Sequence, residues 1–116
     1  MKITVFGTAE DFSHVKTLAE TLPVLQYRKL IWGHAENYDA LLESHRDAEL
    51  TIVMQDGAEG MEGAMLIRRL LPDTPVIWFS EDVAFGAQAH RLGCAYFGEK
   101  PITMHAMERA IRNAIA

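Results

Sequence analysis

Two nearly unbroken apolar runs, each followed by a helical pattern, constrain the fold of this chain more than any other feature. Leu50–Met54 and Pro75–Phe79 are rich in β-branched and aromatic residues and are too short to be buried helices. Strands that are apolar at nearly every position are buried on both faces, which is typical of parallel sheets covered by helices. The two runs are therefore predicted to be parallel strands in the interior of a sheet.

Strand-like and helical patterns alternate along the rest of the chain. Val24–Trp32 alternates imperfectly, as expected for a strand nearer a sheet edge, and Gly33 is predicted to end it. Asn37 and Thr103 can cap helices, and Gly93 can end one in a left-handed turn. Two further strands are predicted at Ile3–Phe6 and Ala95–Phe97, and helical spacing is shown by Phe12, Val15, Leu18 and Leu22, by Tyr38, Leu41, Leu42 and His45, by Met61, Ala64, Ile67 and Leu71, by Val83, Ala87, His90 and Leu92, and by Met104, Met107, Ile111 and Ile115. Five strand–helix repeats predict an α/β fold with a doubly wound, five-stranded parallel sheet and helices on both faces.

Length and composition fit one globular domain that spans residues 1–116. Hydrophobic residues make up 49% of the chain and charged residues 23%, so a core can form without metals or disulfides. Cys94 is the only cysteine and is predicted to be a buried, unreactive side chain. No signal peptide or membrane-spanning run is present, and we expect a soluble, cytoplasmic protein with no membrane partner.

The charge balance argues against direct binding to nucleic acid. The net charge is -5, and the nearest approach to a basic cluster is Arg68 and Arg69, which are interpreted as a solvated helix face. In sheets of the predicted kind, ligands and chemistry gather beyond the carboxyl ends of the strands. Candidate site residues are therefore sought at those ends.

The second half of the chain has a set of motifs at the ends of its predicted elements: Gly60–Gly63 at the start of the third helix, Ser80 at the end of the fourth strand, Phe97 in the fifth strand and Lys100–Pro101 after it. As a set they resemble the receiver domains of two-component response regulators. Gly60–Gly63 is similar to the turn that opens their third helix, and Ser80 matches the Ser or Thr that ends their fourth strand. Phe97 matches the switch aromatic of their fifth strand. The pair Lys100–Pro101 matches a Lys that reaches the phosphoryl group and a cis peptide bond, and from Phe79 to Ile102 the spacing resembles receivers that precede LytTR-type DNA-binding domains. The resemblance implies a flavodoxin-like, receiver-type fold over the whole chain.

Three positions depart from what the resemblance implies. Counting back from Gly63, the phosphoacceptor Asp falls on Gln55, and the acidic pair that holds Mg²⁺ falls on Gly7 and Thr8. An amide cannot form the acyl phosphate of a carboxylate, and Mg²⁺ prefers carboxylate oxygens. We therefore expect a pseudo-receiver without cofactor, metal or enzymatic activity, which acts by protein–protein contact in signal transduction or transcriptional regulation.

Two alternatives remain open at this stage. Asp56 could be the acceptor, with Mg²⁺ held by Asp56 and Glu10 or Asp11, although strand alternation would aim Asp56 away from the pocket unless a bulge turned it back. In the other alternative, the domain senses a small molecule in the emptied pocket between Gly7, Gln55 and Lys100, where Gly7 leaves space.

The remaining site residues have expected roles that follow from the pseudo-receiver hypothesis. Lys100 is predicted to donate a hydrogen bond to the side-chain oxygen of Gln55 and to hold the domain in one state. Phe97 and Ser80 could move together as a vestigial switch, or Phe97 could be fixed core packing. The expected partner is another signalling or regulatory protein, and the resemblance suggests a homodimer through the fourth and fifth helices.

Overall fold

Five strands and five α-helices alternate along the chain, which the structure, a computed structural model, describes from residue 1 to 116. The strands are β1 Lys2–Phe6, β2 Ile31–Ala35, β3 Leu50–Val53, β4 Val76–Ser80 and β5 Tyr96–Glu99. The helices are α1 Ala9–Glu20, α2 Tyr38–Ser44, α3 Gly57–Leu70, α4 Phe85–Leu92 and α5 Met104–Ile115. The alternation predicted from the apolar patterns is confirmed.

All five strands are parallel and lie in the order β2-β1-β3-β4-β5. In this doubly wound order, the strand sequence reverses between β1 and β3, and ligand sites are favoured beyond that point. Phe6 pairs with Ala35 on one side and with Val53 on the other, so three strands end at the same level. The segments after β1 and β3 are therefore neighbours.

Side chains of successive strand residues point to opposite faces of the sheet and are buried in two separate hydrophobic cores. On one face Val5, Ile52 and Phe79 belong to a cluster of 15 buried residues that includes side chains from α1 and α5. On the other face Phe6 and Trp78 belong to a cluster of 10 buried residues with side chains from α2, α3 and α4. This two-sided burial is the reason that the inner strands are apolar at almost every position.

The second strand begins later and ends later than predicted. Pro23–Leu25 forms a 3₁₀ turn instead of the start of a strand. Leu25 is buried, although it lies in this turn. Gly33 does not end β2, because it pairs with Thr4 in the middle of the ladder between β1 and β2. The predicted edge position of this strand is confirmed.

Side-chain caps fix the beginnings of several helices. Asn37 accepts a hydrogen bond from the Ala40 N–H, and Thr103 accepts one from the Ala106 N–H, as predicted. Gly93 ends α4 with φ of 71°, in the left-handed region that a residue without Cβ adopts easily. No helix in the structure combines the length and the apolar character that crossing a bilayer requires.

Candidate functional site

The ends of β1, β3, β4 and β5 meet around the side chain of Lys100. Its ammonium donates hydrogen bonds to the Met54 carbonyl oxygen and to Asp56 Oδ2, the latter at 3.2 Å. Asp11 Oδ1 lies 3.9 Å from the same nitrogen. We call this group, Asp11, Met54, Asp56, Glu81 and Lys100, the Lys100 pocket. The Lys100 side chain is only 12% exposed, and its ammonium contacts two carboxylates and a backbone carbonyl.

Asp56 faces this pocket, so its predicted outward orientation is wrong. Regular pairing of β3 ends at Val53, and the next two N–H groups, of Met54 and Gln55, both donate to the Phe6 carbonyl at 2.7 and 3.0 Å. Two N–H donors on one carbonyl interrupt the alternation of side chains between the two faces of the sheet, as a β-bulge does. The side chain of Asp56, which follows, is therefore turned toward the pocket. Asp56 Oδ1 then accepts a hydrogen bond from the Glu81 N–H at 3.2 Å.

Gln55 is engaged elsewhere, and the predicted hydrogen bond from Lys100 to its side chain is wrong. Gln55 Nε2 donates to Glu59 Oε1 at 2.8 Å. Gln55 Oε1 is buried and accepts no hydrogen bond. The ammonium reaches Asp56 in its place, because a charged acceptor forms the stronger bond. The side chain of Gln55 therefore stays with α3 and takes no part in the ion cluster.

The end of β1 is filled, which removes the space that was expected beside Gly7. A Cβ on Gly7 would lie 2.8 Å from the Met54 Cβ and 3.0 Å from Asp11 Oδ2. Thr8 caps α1 by accepting the Asp11 N–H, while Asp11 Oδ2 accepts the Thr8 N–H. The expectation of a ligand cavity between Gly7, Gln55 and Lys100 is not met at the Gly7 side. A cleft of about 350 Å³ opens at the Lys100 pocket itself, and its lining does not include Gly7 or Gln55. The lining residues are Asp11, His14, Met54, Glu81, Lys100, Pro101 and Ile102.

The oxygen donors in the Lys100 pocket do not suit a Mg²⁺ ion of the kind that the resemblance implies. Asp11 is held by the Thr8 cap, and Asp56 is held by an ammonium and a backbone N–H. Gly7 offers no side chain, and no three His, Cys, Asp or Glu side chains are grouped as metal ligands. Mg²⁺ requires near-octahedral oxygen ligands, and a cation here would meet the positive charge of Lys100.

Ser80 and Phe97 lie where the sequence predicted, in packed surroundings. Ser80 is buried, and its Oγ accepts a hydrogen bond from the Asp82 N–H at 3.1 Å. Phe97 is half-buried and meets Trp78 edge to face, with ring centroids 5.6 Å apart. The peptide bond between Lys100 and Pro101 is cis. Fixed packing of Phe97 and a switch role both remain compatible with these contacts.

Two contacts of the site were not predicted from the sequence: the hydrogen bond from the Glu81 N–H to Asp56 and the approach of Asp11 to Lys100. The hydrogen bond from the Glu81 N–H to Asp56 could not be predicted from residue types, because the donor is a backbone group. It reaches Asp56 only because β3 and β4 are paired in the sheet. The place of Asp11 beside Lys100 could have been found, because Thr8 and Asp11 are spaced as a capping box, which directs the acidic side chain back toward the end of β1.

Comparison with known proteins identifies the fold. The sequence matches no protein-family model and no curated protein at a significant level. A response regulator receiver domain protein from Clostridium thermocellum is 21% identical, with 98% of this chain and 93% of that chain covered and a TM-score of 0.74. A response regulator from Thermotoga maritima is 21% identical, with 99% and 98% covered and a TM-score of 0.76.

A third similar structure is a response regulator protein from Burkholderia pseudomallei that contains a phosphorylated aspartic acid, a calcium ion and citrate. It is 22% identical, with 99% of this chain and 66% of that chain covered and a TM-score of 0.69. These likenesses extend over nearly the whole of this chain. Its fold is thus the flavodoxin-like fold of response regulator receiver domains.

Proposed function

We propose that this chain is a non-catalytic signalling module that acts by binding another regulatory protein, without phosphorylation at Gln55. The observation that supports this proposal most is the ion cluster of the Lys100 pocket. The ammonium of Lys100 already supplies positive charge to Asp11 and Asp56. The Lys100 ammonium and the Thr8 cap already engage oxygens of these two carboxylates, which makes them poor ligands for the metal that assists phosphoryl transfer.

The chemistry of Gln55 supports the same proposal. Its amide oxygen carries no formal charge and its nitrogen is occupied by Glu59, so it cannot take part in phosphoryl transfer. A domain that receives no added charge has no electrostatic signal to shift it between two states. Its regulatory effect would then depend on how much of it is present and on the affinity of its partner.

The partner would be a signalling or regulatory protein that contacts the helical surface. Val83, just before α4, and Met104, at the start of α5, are apolar side chains that are 59% and 42% exposed. A homodimer through α4 and α5 remains a prediction that rests on the resemblance to receivers. Neither proposal requires direct contact with nucleic acid or with a membrane.

A second candidate function is phosphorylation at Asp56, which the orientation of that side chain favours. Its two oxygens contact the Lys100 ammonium and the Glu81 N–H, two donors suited to the charge of a phosphoryl group. The weak point is the metal, because Asp11 is held by the Thr8 cap and Glu10 is exposed on α1. This candidate predicts poor affinity for Mg²⁺ even if Asp56 reacts.

Beryllofluoride, which mimics a phosphoryl group on a receiver carboxylate, separates the two candidates. We would titrate it with Mg²⁺ into ¹⁵N-labelled protein and follow the backbone amide shifts of the wild type, Asp56→Asn and the control Asp73→Asn. A flat titration of folded wild-type protein supports the phosphorylation-independent module. Saturable shifts at Asp56, Ser80 and Phe97 that persist in Asp73→Asn and vanish in Asp56→Asn would overturn it and establish Asp56 as the acceptor.

A further inference from the structure

A second charged feature lies at the other end of α3. Arg68, Arg69 and Arg91 line a groove of about 470 Å³ between α3 and α4, together with Met65 and Leu92. We call it the arginine groove. The 14 residues of α3 place this groove about 20 Å from the Lys100 pocket, at 1.5 Å per residue. It is therefore independent of the chemistry at Asp56.

Arg68 is held rigidly at one side of the groove. Its Nε donates to the Leu92 carbonyl at 2.9 Å, and one Nη donates to the Pro72 and Thr74 carbonyls at 3.0 and 3.1 Å. The solvated helix face that the sequence suggested is thus wrong for Arg68, which is half-buried. Neutral carbonyls accept its hydrogen bonds without cancelling its charge.

The other two arginines are exposed and have no acidic partner. Arg91 donates to the neutral Gln88 side chain at 3.2 Å, and none of the four ion pairs in the chain includes Arg68, Arg69 or Arg91. All three lie in the last turns of their helices, where the helix dipole favours a cation. The dipole accounts for a cation at each helix end, but not for three that converge on one groove of a chain with net charge -5.

Apolar side chains accompany this positive charge. Met65, on the groove, is 38% exposed, and Leu70, one residue after Arg69, is 45% exposed. Methionine adapts its shape to different apolar partners, which suits a binding surface. The groove therefore offers apolar contact and cationic hydrogen-bond donors side by side.

We propose that the arginine groove binds an acidic segment of a partner protein, with carboxylates on Arg69 and Arg91 and an apolar side chain against Met65 and Leu92. Charge complementarity supports this occupant. A nucleic acid is disfavoured, because binding to a phosphate backbone requires an extended track of cations, whereas this groove has three on an acidic protein. Phosphates also make no use of the apolar side chains.

The test titrates a synthetic peptide, in which Leu recurs at helical spacing among Glu and Asp, into the ¹⁵N-labelled chain. We expect saturable amide shifts at Met65, Arg69, Arg91 and Leu92 of the ¹⁵N-labelled chain, with affinity that falls as salt rises. The double variant Arg69→Glu with Arg91→Glu should bind at least about tenfold more weakly, since two attractions become repulsions.

The matched control reverses two other exposed arginines that make no side-chain bonds, Arg46→Glu with Arg109→Glu, and should leave affinity within about twofold. Circular dichroism verifies that both double variants are folded. Equal weakening by both variants would mean that only net charge matters, and would overturn the proposal. So would tighter binding of an oligonucleotide than of the peptide, peptide shifts confined to other surfaces, or no shifts at all.

Discussion

The two ends of α3 carry charge that is satisfied in opposite ways. In the Lys100 pocket, two carboxylates share the ammonium of a side chain that is only 12% exposed, so one of the two negative charges is offset inside the molecule. In the arginine groove, Arg68 and Arg91 donate only to neutral oxygens of their own chain, and no ion pair includes Arg69. A charge that is paired internally contributes to stability, whereas an unpaired surface charge remains available to a partner. The Lys100 pocket is thus a region whose charges act within the fold, whereas the charges of the arginine groove can bind a partner.

The largest effect is expected from Lys100→Met, which removes the only cation of the Lys100 pocket. Asp11 and Asp56 would lose their counter-charge, and the free energy of unfolding should fall by about 2 kcal/mol. This is less than for a fully buried pair, because Asp56 is 45% exposed. Urea unfolding measures the change. The control Lys29→Met, at an exposed lysine, should stay within about 0.5 kcal/mol, and an equal loss in both variants would contradict the internal role of Lys100.

Arg68→Met should have the next largest effect, because Arg68 links three carbonyls of the groove to α3. We expect a loss of about 1–2 kcal/mol in unfolding free energy and faster hydrogen exchange at Gly93 and Cys94, whose N–H groups close the end of α4. Arg69→Met is the matched control and should change stability by less than about 0.5 kcal/mol. An equal loss of stability in both variants would mean that the hydrogen bonds of Arg68 do not stabilise the fold, and would contradict this prediction.

The smallest effect concerns the thiol beside the groove. Burial raises the pKa of Cys94 from 9.0 to about 11, and the charge of Arg68 opposes this rise. At pH 8 only about one thiol in a thousand is ionised, so alkylation should be slow and should increase about tenfold per pH unit. A rate that levels off near pH 9 would contradict the raised pKa.

The same pKa has a consequence for folding. The unfolded thiol ionises near pH 9.0, whereas the folded thiol keeps its proton to about pH 11. Between these values the unfolded state has released a proton that the folded state still holds, so stability falls as the pH rises. Cys94→Ala should remove this part of the alkaline destabilisation, and urea unfolding at pH 8 and pH 10.5 measures it.

Local patterns predicted most of the fold. The inner strands could be recognised because burial on both faces makes them apolar throughout, and Asn37 and Thr103 cap their helices through contacts three residues away. The second strand was displaced because the apolar side chain of Leu25 is buried from a 3₁₀ turn, which an apolar pattern alone does not distinguish from a strand.

The candidate site was predicted in its residues but not in its contacts. The sequence placed Asp56 and Lys100 at the carboxyl ends of two strands of one sheet, and the structure brings them together. The orientation of Asp56 depends on two N–H groups that share the Phe6 carbonyl, a backbone detail without a side-chain signature. The convergence of Arg91 with Arg68 and Arg69 depends on how α4 packs beside α3, and the residues are too far apart in sequence for periodicity to show it.

The packing around Gly7 limits how a metal site could be introduced into this domain. A receiver-like acidic pair needs a carboxylate at this position, but any Cβ there would press on Met54 and on Asp11, both already fixed by their own contacts. Thr8 would accept aspartate readily, since both residues cap helices well. The clash at Met54 is with its Cβ, which every residue except glycine carries. An engineer who wished to install a metal centre would therefore have to shift the backbone there and release Asp11 before the new carboxylate had room. The present pocket therefore differs from a metal-binding one in its backbone spacing as well as in the side chain at residue 7.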